Sequence, residues 1–139
     1  MKFKLGMILV LGILLMAGTS YAASPERMAG DFLEMVQEKK VNEAFEMLFE
    51  GSVIQSTKTE AVEELKTSVL SKMDQYGNVV GSEIILRERI SKTIFRVVGV
   101  LEANDLPIVF DMYFYKPNGD WRLINISMND RVDLIKDLN

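Results

Sequence analysis

The chain contains no cysteine and no histidine. Without a thiol it forms neither a disulfide nor the thioether of a lipoprotein, so its fold rests on packing alone. Without imidazole or thiol, Ser-His and Cys-His nucleophile pairs and every histidine-ligated metal site are excluded. Residues 23–139 hold no Lys/Arg cluster, low-complexity tract or internal repeat. That argues against nucleic acid and against electrostatic docking on anionic lipid, since both favour basic patches. A calcium loop is missing too: Asn118-Gly119-Asp120 offers too few oxygens, and capping accounts for the acids of Asn129–Asp133. No metal site and no cofactor is expected.

What is present begins with an address. Lys2 and Lys4 make a short cationic start, and Leu5–Ala17 run uncharged and rich in Leu, Ile, Val and Met. Ser20-Tyr21-Ala22 then sets small residues at −3 and −1 of a cut between Ala22 and Ala23. The apolar run falls short of the about 20 residues a membrane span needs. Residues 1–22 therefore read as a cleavable signal peptide, and the remaining chain as a bacterial periplasmic or secreted protein. After cleavage it is not expected to be an integral membrane protein. Removing 22 of the 139 residues leaves 117, one domain's worth of chain. Losing Lys2 and Lys4 leaves 14 basic against 20 acidic residues, so the net charge moves from −4 to −6.

The first half of this domain, 23–139, has helical spacing. Ser24-Pro25 is an N-cap followed by proline at the first helical position. Met28, Phe32, Met35 and Val36 carry that helix towards Lys40, and Val41, Ala44, Phe45 and Leu48 carry a second towards Glu50 and Gly51. Thr57 with Glu60 reads as a capping box, followed by the stripe Val62, Leu65, Val69, Met73 and Tyr76, with Gly77 as the stop.

The second half changes period. Val79–Ile90, Thr93–Glu102, Ile108–Lys116 and Trp121–Met128 are rich in β-branched and aromatic residues. Asn104-Asp105 with Pro107 marks one turn, and Pro117-Asn118-Gly119-Asp120 a hairpin. Connections this short predict an antiparallel meander. Asn129 or Asp130 caps a short last helix carrying Val132, Leu134, Ile135 and Leu138. The expected class is α+β, with N-terminal helices on a curved four-stranded antiparallel sheet and a short C-terminal helix.

That order, with the ending Gly119-Asp120-Trp121-Arg122-Leu123-Ile124-Asn125-Ile126-Ser127 and the early Phe32…Ala44-Phe45 spacing, resembles the nuclear-transport-factor-2-like, cystatin-like cone fold. The resemblance implies a pocket between helices and sheet. It implies no single activity, because that superfamily hosts enzymes, carriers and interaction modules alike.

Strand alternation supplies the candidate residues. It places Asp111, Tyr113 and Tyr115 on one face of the third strand, opposite Phe110, Met112 and Phe114. A carboxylate beside phenols is the one arrangement here suited to base catalysis with an oxyanion donor, as in ketosteroid-isomerase-like relatives of that fold. Arg87, Arg89 and Arg96 are suited to clamping an anionic head group or to pairing with neighbouring acids. Strict alternation sets Glu83, Ile85, Arg87 and Arg89 on one face of the first strand. In the fourth it opposes Trp121, Leu123, Asn125 and Ser127 to Arg122, Ile124, Ile126 and Met128. The leading expectation is a non-enzymatic envelope protein holding a small apolar or lipid-like ligand, with Arg87, Arg96, Tyr113 and Trp121 as ligand contacts. The alternative is an interaction module that forms a homodimer or docks on an envelope protein through its sheet face. An isomerase- or dehydratase-like enzyme using Asp111 ranks third.

Overall fold

A computed structural model describes residues 23–130. The expected signal peptide, residues 1–22, and the expected last helix beyond Asp130 lie outside the described residues.

Helix α1 spans Pro25–Gln37, and the Ser24 hydroxyl accepts from the Arg27 N–H at 3.2 Å. The helix ends where Lys39 takes a left-handed φ of 65°, and α2, Val41–Leu48, turns back against it. Gly51, at φ 73°, then redirects the chain. The expected capping box at Thr57 does not form. A short helix, α3, occupies Ile54–Thr57, and the Thr57 and Thr59 hydroxyls donate one turn back to the Val53 and Gln55 carbonyls. Each threonine thus serves the preceding turn instead of capping the next. Helix α4 runs Thr59–Tyr76 and stops at Gly77, whose φ of 82° suits glycine alone.

Four strands follow: β1 Val79–Arg89, β2 Ile94–Ala103, β3 Pro107–Tyr115 and β4 Arg122–Asn129. They form one sheet in the order β1-β2-β3-β4, every neighbouring pair antiparallel. The turn between β3 and β4 uses Gly119 at φ 77°. Helices followed by an antiparallel meander make this an α+β fold, as the change of period predicts.

The helices cover one sheet face. Phe95, Val97, Leu101, Ile108, Phe110, Met112, Phe114 and Leu123 join Phe32, Leu33, Val36, Phe45 and Leu48 in the main core. Phe32 sits edge-on to both Phe45 and Phe110, with ring centroids 5.4 and 5.2 Å apart. Leu33 seats directly on Gly99, where an added Cβ would lie 2.5 Å from its Cδ1. Glycine in mid-strand lets α1 approach this closely.

Strict alternation fails at three bulges, the first of which, at Val80, comes before the candidate residues of β1. In β1, Ile84 pairs with Gly99 but Leu86 pairs with Val98, so Ile85 is an extra residue. Leu86 and Glu88 consequently share the outer face with Glu83, and Arg87 moves to the helix side. In β4, Asn125 opposes Tyr113 and Leu123 opposes Phe114, which leaves Ile124 unpaired. Leu123 therefore shares the core face with Ile126 and Met128, while Asn125 and Ser127 face outward. An inserted residue reverses every side chain beyond it, because the strand period is two.

Candidate functional site

A groove of about 300 Å³ opens where α3 and α4 meet β4. Its walls follow from the elements just described. Phe49 closes the end of α2, Ile54 comes from α3, and Ala61, Val62 and Leu65 lie on one side of α4. Ile124 and Ile126 complete it from β4. Two features of the chain keep this space unfilled. Ala61 contributes only a methyl group to the lining. The bulge turns Ile124 out of the core, so that it stands 38% exposed at the rim.

The polar residues of the lining are Lys58 and Asn125. Lys58 is the residue between α3 and α4, and its ammonium has no ion-pair partner among the described residues. Wider hollows of about 450, 370 and 640 Å³ exist elsewhere, but more of their lining side chains are polar or charged: Gln37, Lys39 and Asp74 in the first, Glu50, Asp120 and Arg122 in the second, and Arg27, Asp31, Glu34 and Glu38 in the third. A site that buries an apolar molecule needs mostly apolar walls with a few placed polar groups, and the α4–β4 groove has that balance.

Ser52 links two of the elements that wall the groove. It is the one buried polar side chain among the described residues, and its hydroxyl donates to the Leu123 carbonyl at 2.6 Å while accepting from the Ile54 N–H at 3.3 Å. One hydroxyl thus ties the start of α3 to the bulged stretch of β4. Sequence pattern gives no sign of it, since a serine after a glycine reads as an ordinary turn. Lys58 is equally silent in the sequence, as one lysine in a polar stretch.

The residues singled out from the sequence lie elsewhere and fall into separate groups. Arg96, Asp111 and Tyr113 come together on the outer sheet face. Arg96 donates to both carboxylate oxygens of Asp111, at 2.9 and 2.7 Å, and stands 3.6 Å from Glu88. Its guanidinium lies 5.5 Å from the centre of the Tyr113 ring. Hydrogen bonding to Asp111 raises the Arg96 pKa above the usual arginine range. A carboxylate whose two oxygens each accept from one guanidinium is committed to that ion pair, so this geometry suits a cross-strand fastening better than proton abstraction. Tyr115, 37% exposed, opposes Ile94 at the end of β3.

Arg87 is on the opposite face from Arg96 and donates to Glu26 of α1 at 2.9 Å. Trp121 follows the hairpin and packs edge-on against Phe95 at 6.2 Å, with the Lys116 ammonium 5.6 Å from its ring centre. The four proposed ligand contacts therefore do not converge on one space, and none of them lines the α4–β4 groove.

One further cluster joins α4 to the end of β4. The Tyr76 hydroxyl donates to Asp130, and Lys72 donates to the same carboxylate oxygen at 3.2 Å. Tyr76 first, then Lys72, holds the Asp130 carboxyl below the usual carboxylate range, and the Lys72 ammonium is correspondingly raised. Among the described residues no group of His, Cys, Asp and Glu is arranged to hold a metal ion, and no helix is long and apolar enough to cross a membrane. No known protein-family model, curated protein or solved structure matches the chain.

Proposed function

We propose that this chain is an exported, non-enzymatic binding domain that holds a small apolar or amphipathic ligand in the α4–β4 groove. The observation that carries the reading is the groove itself: about 300 Å³ walled mainly by Phe, Ile, Val, Leu and Ala side chains. That volume is at the lower end of what small-molecule sites use. The signal-peptide pattern of residues 1–22 supports export.

A neutral environment-sensitive dye, N-phenyl-1-naphthylamine, tests the proposal directly. The wild-type protein is expected to enhance its fluorescence saturably, and Ala61→Phe, which fills the groove from an exposed helix position, is expected to abolish the enhancement. No enhancement, or equal enhancement by the filled variant, overturns the reading.

The alternative, a sheet-face interaction module, draws on the second apolar cluster of Val98, Val100 and Val109 with Ile85 and Leu86. Its three valines are already between 1 and 8% exposed. They offer a partner little new area to bury, whereas the groove walls are still open.

A further inference from the structure

The groove reading leaves open what kind of molecule fits, and its polar rim bears on that. We infer that the ligand is a single-chain amphiphile with an anionic head group, its chain in the groove and its head paired with Lys58. This rests on the groove being the binding site.

Three observations carry it. The walls contain no carboxylate, so an anionic head meets no like charge among the lining residues. Lys58 supplies the only formal charge of the lining, and that charge is unpaired among the described residues. Several cations elsewhere are already paired, among them Arg96 with Asp111, Arg87 with Glu26, Lys72 with Asp130 and Lys66 with Glu63. The domain is acidic overall, and long-range attraction therefore does not favour an anion. A local ammonium within the Debye length is what makes one acceptable. The groove's modest volume also favours one acyl chain over two.

Dye displacement from the full exported protein separates this inference from the proposal beneath it. The competitors are laurate, monododecyl phosphate, 1-dodecanol and dodecyltrimethylammonium, which share one chain length and differ in head group. Laurate or the phosphate is expected to displace the dye at about tenfold lower concentration than dodecanol, the gain of one charge-assisted contact. Whichever anion is stronger assigns a carboxylate or a phosphate ester as the natural head. Lys58→Gln is expected to erase that advantage, and an unchanged circular-dichroism spectrum shows the variant to be folded. Lys58→Arg is expected to retain it. Equal displacement by anionic and neutral chains, or an anionic preference that survives Lys58→Gln, overturns the head-group assignment alone. Displacement by none of the four chains overturns the groove proposal with it.

Discussion

The two halves of the helical layer meet the sheet very differently. On one side α1 lies on β1 and β2, with Phe32 clasped between Phe45 and Phe110 and Leu33 pressed onto a glycine. On the other side α4 is the longest helix, yet only Val62, Val69 and Tyr76 of its stripe are buried. Leu65 and Met73 stay part-buried, and Leu70 stands 47% exposed. The first half spends its apolar side chains on close packing, while the second leaves some of them facing a space. Binding sites are drawn from the less tightly held parts of a fold, supported by a rigid remainder. The contrast is what singles out the α4–β4 groove.

Truncating a side chain in each half gives the largest expected difference. Phe110→Ala removes a fully buried ring and is expected to cost about 3–5 kcal/mol. Leu65→Ala removes a part-buried side chain that already borders open space, and is expected to cost roughly 1 kcal/mol. Urea unfolding of both variants checks the pair. Equal losses would mean that α4 is packed as tightly as α1, and the comparison would collapse.

A smaller effect is expected where the loose half is pinned. Ser52→Ala leaves the Leu123 carbonyl without its 2.6 Å donor in a buried place. An unsatisfied buried acceptor costs about 1–3 kcal/mol. Because the same hydroxyl holds the start of α3, the variant is expected to weaken dye binding in the groove more than its stability loss alone accounts for. Unchanged dye affinity in a folded Ser52→Ala protein would show that the groove does not depend on this tie.

The fold was largely legible in the sequence, and the groove was not. Helical spacing up to Tyr76 and β-branched runs from Val79 onward locate every strand to within a residue or two, and Asn118-Gly119 marks the hairpin. Local pattern suffices there because it records which residues are buried. Alternation, however, assigns faces only while the strand stays regular. Both decisive bulges occur where apolar residues run consecutively, at Ile84-Ile85-Leu86 and at Leu123-Ile124. Such a run does not by itself mark a bulge, since Ile108-Val109-Phe110 in β3 stays in register with β2. Only the pairing with the neighbouring strand moves Arg87 away from Arg96 and turns Ile124 outward. The groove needs more than this, because it joins α2, α3, α4 and β4 across long stretches of chain. Lys58 acquires meaning only from what the fold places beside it.

The smallest effect concerns the far end of the loose half, where Tyr76 and Lys72 hold Asp130. Because the Asp130 carboxyl is held below its ordinary value, the folded state binds fewer protons than the unfolded state near that value. The resulting stabilisation is complete above the unfolded carboxylate pKa of about 3.9 and disappears as pH falls through the lower folded value. Lys72, raised in the fold, contributes below its ordinary value and loses that contribution as pH climbs through its folded one. Asp130→Asn is therefore expected to be slightly less stable than wild type at pH 6, with the two unfolding midpoints converging as pH drops below about 4. Hydrogen exchange gives the same contrast by location, since the clip joins α4 to β4 and touches neither α1 nor α2. Faster exchange in the last turns of α4, with α1 unchanged, is the expected pattern. A uniform acceleration through both helices would show that the halves open together, and that the groove side is not the independently looser one.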